Sequence, residues 1–258
     1  MSDTVTREDA GGVAVLTLLQ PAFTHASRQA LLAAVEAVAT DESVRAVLLT
    51  GTGRAFCVGQ DLGEHMAEMQ SGAPAPLSVV EREYNPLVLA LAALRVPVVV
   101  GINGACAGAG LGLALAGDIR VAAAGAKFTT AFTGIGLSSD SAVAARLVHS
   151  VGASRATELI FLPEPFLAEQ AAEWGLVHRV VAPERVMDEA RNLAGRLAAG
   201  PTLAYRAVKT VLATAATDSL EDTLALEGRL QAEVGQSADH REAVEAFLAT
   251  RPPVFTGH

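Results

Sequence analysis

The chain has 258 residues, 51% of them hydrophobic, and a formal net charge of −9. That much apolar material can fill a sizeable core and excludes a disordered chain. The acidic balance argues against general nucleic-acid binding, leaving room only for a local basic patch toward an anionic ligand. The first ten residues are polar and lack the apolar centre of a signal peptide. No apolar run reaches membrane-spanning length before Gly, Pro or charge interrupts it, so no membrane association is expected. The two cysteines, Cys57 and Cys106, sit in separate glycine-rich segments and read as small packed residues. No disulfide framework is indicated, and the cytoplasm is the expected compartment.

In chain order, Gly12–Leu19 reads as a strand rich in Val, Leu and Thr. Ala26–Thr40 has helical spacing, and Val44–Thr50 is a second strand. Leu62–Pro76 contains Gly and Pro without a clear period and reads as a mobile loop. Ser78–Leu94 reads as a helix, and Val96–Ile102 is the most strand-like run of all. Gly108–Ala116 is a short helix of small residues, followed by short strands at Ile119–Ala123 and Lys127–Thr130. From Ala142 the pattern turns mostly helical: Leu147–Phe161, Leu167–Trp174, a last strand at Val177–Val181, then Pro183–Ala199, Pro201–Thr214 and Leu220–Phe247. Alternating strands and helices imply an α/β core. The one candidate boundary lies near Gly200-Pro201, dividing a core at 1–199 from a terminal helical region at 200–258.

Two glycine-rich segments end apolar runs. Gly51 to Leu62 follows the second strand, and Asn103 to Asp118 follows Val96–Ile102. Small residues let backbone N–H groups come close to a ligand, and a helix start adds unpaired donors with a positive partial charge. Two such elements facing each other could hold one developing oxyanion. Neither segment completes a dinucleotide fingerprint: Leu113 and Phe56 stand where the third glycine belongs, and no P-loop lysine follows. The six histidines show no ligand spacing, no His-Glu-x-x-His or Cys-x-x-Cys pattern is present, and a metal is not indicated.

The motifs Ala55-Phe56-Cys57-Val58-Gly59-Gln60-Asp61-Leu62, Asn103-Gly104 through Asp118, Ala126-Lys127-Phe128 and the ending Phe247 to Gly257 occur in order. Together they resemble the crotonase family, also called the enoyl-CoA hydratase/isomerase family, over nearly the whole chain. The resemblance implies a crotonase-like spiral of ββα units with a C-terminal helical region, the latter used for a homotrimer or a dimer of trimers. It implies an acyl-CoA thioester as substrate and no separate cofactor. The main-chain amides of Gln60 and Ala109 correspond to the family's thioester-oxygen donors. The backbone of Gln60, Asp61, Leu62 and Gly63 corresponds to its coenzyme A contacts. Arg28 and Arg54 are candidates for the phosphates, although surface solvation is the commoner use of each, and Lys127 and Lys209 are unassigned.

The two glutamates of hydratases correspond to Gly112 and Phe132, neither of which can exchange a proton. Water addition by the two-glutamate route is therefore not supported. One carboxylate remains. Ala131 to Ser141, with Asp140, and Tyr84-Asn85-Pro86-Leu87, Ser237-Ala238-Asp239 and Phe255-Thr256-Gly257 resemble the epoxyphenylacetyl-CoA isomerases of that family. A single aspartate suits an isomerase, since it can take a proton from one carbon and return it to another. Asp140 lies between serines and would also serve as a helix N-cap before Ala142–Leu147. The family commonly places two glycines where Ala142 and Val143 stand. Asp61 and Asp118 read as structural. Glu64 to Gly72, with Met66 and Met69, reads as part of a lid over the acyl pocket, and Trp174 as core. An enoyl-CoA hydratase and a non-catalytic acyl-CoA-binding protein are the alternatives.

Overall fold

A computed structural model of the chain describes residues 4–72 and 77–258. Strands β1 (Val5–Ala10) and β2 (Val13–Leu18) are followed by α1 (His25–Ala39), β3 (Ala46–Gly51), β4 (Ala55–Cys57) and α2 (Leu62–Gln70). A π-helical turn, Val80–Tyr84, runs into α3 (Asn85–Ala92), and β5 (Val98–Ile102), β6 (Ala105–Ala107) and α4 (Ala109–Ala116) follow. Next come β7 (Ile119–Ala123), β8 (Lys127–Thr129), α5 (Val143–Phe161), β9 (Phe166–Leu167), α6 (Ala168–Glu173), β10 (Arg179–Val181) and α7 (Val186–Ala198). The chain closes with α8 (Thr202–Thr214), α9 (Leu220–Val234) and α10 (Ala238–Leu248).

The strands form two sheets, one ordered β1-β2-β3-β5-β7-β10 and one ordered β4-β6-β8-β9. In each of the pairs β3/β4, β5/β6 and β7/β8 the first strand joins the large sheet and the second the small one. Both neighbours run parallel, with Val47 opposite Val98 and Val99 opposite Ile119 in the large sheet and Ala55 opposite Ala105 in the small one. The chain thus winds as a spiral of ββα units. The large sheet is covered on both faces. Leu16, Leu49, Val98 and Val100 pack with Leu31 of α1 and Leu91 of α3, while Val15, Leu48, Val99 and Val121 pack with Ala190, Leu193 and Ala194 of α7. Strands buried on both sides need apolar residues at every position, which explains the weak alternation of Gly12–Leu19.

Four differences from the sequence-based expectations have local causes. The polar N-terminus forms β1, an edge strand paired antiparallel with β2 across Gly11-Gly12, whose φ values of 57° and 77° match a tight hairpin turn. Main-chain pairing rather than an apolar pattern makes that strand. The expected loop at 62–76 is helical from Leu62 to Gln70 because the Asp61 carboxylate accepts from the Glu64 amide at 2.9 Å; residues 73–76 of that stretch lie outside the described residues. The helical pattern at Leu220–Phe247 divides at 235–237, where the Ser237 hydroxyl caps α10. Helix α5 is interrupted by Gly152, at φ 76° and ψ 161°.

The ending folds back on the core. Asp239, 3% exposed, accepts from the amides of Thr256 (2.7 Å) and Gly257 (3.0 Å), so the Ser237-Ala238-Asp239 and Phe255-Thr256-Gly257 motifs bind each other. Arg45 donates to Thr202 Oγ1 (2.9 Å) and to the Phe255 carbonyl (3.0 Å). Among the described residues no helix is long and apolar enough to cross a membrane.

Candidate active site

Three segments border a cavity of about 160 Å³: the β4–α2 connection, the β6–α4 connection and the stretch from Ala131 to Asp140. The two connections can lie against each other because α4 starts on small residues. Gly108 adopts φ 53° and ψ −127°, a conformation open to glycine, and a Cβ at Gly110 would sit 2.2 Å from the Cys57 carbonyl oxygen. Cys57 and Cys106 are register partners on β4 and β6 and are both fully buried. Burial pushes the Cys57 thiol up to about 12, so these are packing residues and not nucleophiles.

The placement of the Gln60 amide follows from the backbone around it. Phe23 and Gln60 form an isolated parallel bridge in which the Phe23 amide donates to Gly59 O (2.7 Å) and the Asp61 amide donates to Phe23 O (2.9 Å). Both hydrogen bonds use the residues flanking Gln60, so its own N–H faces away from that bridge. Ala109 is the first residue of α4, where an N–H has no intrahelical partner. Neither amide has a backbone acceptor among the turn, loop and cap hydrogen bonds of the described residues, and both residues line the cavity.

Asp140 lines the same cavity. Burial pushes its carboxyl pKa up, against the opposing hydrogen bond from the Ser141 hydroxyl at 2.7 Å. The N-cap alternative does not hold: α5 begins at Val143 with no side-chain cap, and Asp140 contributes only its main-chain carbonyl, which accepts from the Val143 amide. Two non-glycine residues beside it are left-handed, Ser141 at φ 52° and Ala142 at φ 62°. The backbone that presents Asp140 is therefore strained.

Of the two positions that the resemblance matches to the hydratase glutamates, Gly112 lies fully inside α4, and a Cβ there would meet the Ser141 carbonyl oxygen at 2.5 Å. The position is closed to any side chain, not merely lacking an acid. Phe132 is 7% exposed and gives the cavity an apolar wall.

The remaining expected residues divide. Gln60 and Leu62 line the cavity, whereas Asp61 caps α2 and Gly63 lies exposed in its first turn. Asp118 accepts from the Val98 amide and from Lys209 Nζ, each at 2.7 Å, so Asp61 and Asp118 are structural and Lys209 is engaged. Arg28 is neither solvated nor free for a phosphate: it is 4% exposed and donates to Glu83 Oε2 at 2.6 Å and to the Phe23 carbonyl at 2.8 Å. Arg54 and Lys127 are exposed. Met66 and Met69 are each 52% exposed and do not line the cavity. Trp174 packs against Phe166 and under the Arg155 guanidinium. Sequence reasoning missed two cavity residues with polar atoms, Tyr84 and His65. The Tyr-Asn-Pro-Leu segment marked Tyr84 as a landmark without a role, and nothing in the sequence marks His65, whose buried Nδ1 has no hydrogen-bond partner among the described residues.

The enoyl-CoA hydratase/isomerase family model matches residues 8–258. The chain is similar to the 1,2-epoxyphenylacetyl-CoA isomerase of Escherichia coli K12, with 43% identity over 250 residues and 95% of each chain covered. It is equally similar to a Rhodobacter capsulatus protein described as "Probable enoyl-CoA hydratase", with 43% identity over 258 residues and 98% of each covered. A solved Mycobacterium abscessus structure, described as a "putative Enoyl-CoA hydratase/isomerase", superposes with a TM-score of 0.96 at 47% identity, covering 99% of this chain and 100% of that one. The chain belongs to the enoyl-CoA hydratase/isomerase family and has the crotonase fold of its enzymes.

Proposed function

We propose that the protein is a CoA-thioester isomerase of the 1,2-epoxyphenylacetyl-CoA isomerase type. The observation that carries the reading is that two amides with no hydrogen-bond acceptor among the described residues, at Gln60 and Ala109, and one carboxyl group of raised pKa, at Asp140, line a single apolar cavity, while Gly112 and Phe132 stand where the family resemblance places the hydratase glutamates. The two amides act as an oxyanion hole for the thioester carbonyl. Donors held in place for charge that develops during reaction lower its barrier without reorganisation, by about 2.7–4 kcal/mol for one donor.

With the carbonyl polarised, a proton on the adjacent carbon becomes acidic. In a 3-enoyl thioester Asp140 takes that proton while the electron pair moves onto the carbonyl oxygen. The dienolate then collapses as Asp140 returns the proton to the far carbon, giving the 2-enoyl isomer. No water is consumed, in keeping with an apolar wall at Phe132. In this reading coenzyme A enters as part of the substrate, along the backbone from Gln60 to Gly63. The core at 1–199 carries the site. The region at 200–258 mediates trimer or double-trimer assembly, supported by exposed apolar side chains such as Leu212, Leu220 and Phe247, at 69%, 75% and 83% exposure.

The test is to incubate the purified protein with 1,2-epoxyphenylacetyl-CoA, a 3-enoyl-CoA and crotonyl-CoA. Isomerisation without hydration supports the reading. Hydration of crotonyl-CoA as the fastest reaction refutes it in favour of the hydratase that the Rhodobacter relative's description names. Tight thioester binding without turnover of any of the three leaves a binding protein.

A further inference from the structure

The cavity lining includes a second polar group, which proton transfer by Asp140 does not use. Tyr84 is 2% exposed, ends the π-helical turn and lines the cavity, its ring packed edge to face against Phe23 at 6.2 Å between centroids. Behind it lies the buried Arg28. The Arg28 guanidinium carbon stands 5.1 Å from the Tyr84 ring centre, and Nη1 donates to the Tyr84 hydroxyl oxygen at 3.4 Å. Arg28 is itself fixed by Glu83, whose second oxygen meets His25 Nδ1 at 2.9 Å.

A phenol has one hydrogen to give. The tyrosine oxygen already accepts from Arg28, and Tyr84 donates no hydrogen bond among the described residues. Its hydrogen therefore remains available to a ligand in the apolar cavity that Tyr84 lines. A buried donor without an acceptor is costly, and the cost is relieved when a ligand brings one. Burial and the neighbouring Asp140 charge push the phenol's pKa up, Arg28 opposing them, so it stays a donor and does not become an anion.

We infer that the Tyr84 hydroxyl, positioned by Arg28, donates a hydrogen bond to an oxygen atom carried by the acyl group, so that the site selects acyl-CoA thioesters with an oxygen on the acyl chain or ring over plain hydrocarbon ones. This rests on the reading of the cavity as an acyl site, and it assigns Tyr84 to specificity and Arg28 to positioning.

The experiment is calorimetric titration of the 258-residue chain with two unreactive thioesters that differ by one oxygen, phenylacetyl-CoA and 3-hydroxyphenylacetyl-CoA. The unaltered protein should bind the hydroxylated thioester about tenfold more tightly. Tyr84→Phe, which removes only the hydroxyl, should bring that ratio to about one. Arg28→Lys keeps the charge opposite Glu83 but loses the planar fork, and should lower the same ratio; an unchanged ratio removes Arg28 from the assignment. Equal affinities in the unaltered protein, or an undiminished preference in Tyr84→Phe, would overturn the inference. No binding of either thioester would overturn it together with the acyl-site reading, whereas a Tyr84-dependent preference without isomerase turnover would refute only the isomerase.

Discussion

Replacing Asp140 by Asn separates chemistry from architecture. Asparagine keeps the shape and still accepts from the Ser141 hydroxyl through its amide oxygen, so the 2.7 Å contact and the strained turn at Ser141-Ala142 survive. What is lost is the capacity to carry a proton. Positioned acid–base groups contribute about 10²–10⁴-fold, which corresponds to about 3–5 kcal/mol of barrier. Stability should move the other way. The folded-state pKa of Asp140 lies above the unfolded value of about 3.9. Its ionisation in the folded state is thus penalised, a cost absent at pH below the unfolded value and fully present above the folded one. As pH rises through that window, Asp140→Asn should become progressively more stable relative to the unaltered chain. Assays of 3-enoyl-CoA isomerisation at pH 7, with chemical denaturation at pH 4 and 7, test both halves. Isomerase turnover within about twofold of the unaltered enzyme would remove Asp140 from the reaction, and a loss of stability growing with pH would contradict its buried setting.

The left-handed turn beside Asp140 gives a second prediction. Ala142→Gly should relieve a conformation that costs a non-glycine residue about 1–2 kcal/mol, offset by about 0.4–1 kcal/mol of unfolded-state freedom. A net gain of about 1 kcal/mol would raise Tm by about 2–4 °C in thermal melts. Gly112→Glu should not create a hydratase: its Cβ meets the Ser141 carbonyl, and overpacking of that kind costs about 1–3 kcal/mol. Crotonyl-CoA hydration by a stably folded Gly112→Glu protein would show that the α4–Ser141 contact yields. Cys57 and Cys106 should resist a thiol reagent in the native protein and both react on unfolding; rapid native labelling would contradict their burial.

The long buried strands and the helices were legible because their periods span five or more residues, as at Val98–Ile102 and His25–Ala39. The small sheet was not, because β4, β6 and β9 are two or three residues long and no period can show in so short a run. Helix α2 was hidden by the absence of any buried residue along it; the Asp61 cap and the glutamate three residues later were its only signal. At the site, the glycines around Gln60 and Ala109 pointed to close backbone approach, but their pairing with Asp140 came from the family resemblance. Tyr84 and Arg28 are 56 residues apart and meet only through tertiary packing. The left-handed Ser141-Ala142 pair was marked only by the glycine that the family commonly has where Ala142 stands, since neither serine nor alanine favours that conformation.

The proposed oxyanion hole requires the amides of Gln60 and Ala109 to converge on the thioester oxygen. Isotope-edited infrared difference spectroscopy of a ¹³C-labelled thioester bound to Asp140→Asn, where turnover is blocked, reads the polarisation of that carbonyl directly. Two converging donors should shift the carbonyl stretch to lower frequency than in the free thioester in water; a bound carbonyl at or above its solution frequency would refute the oxyanion hole.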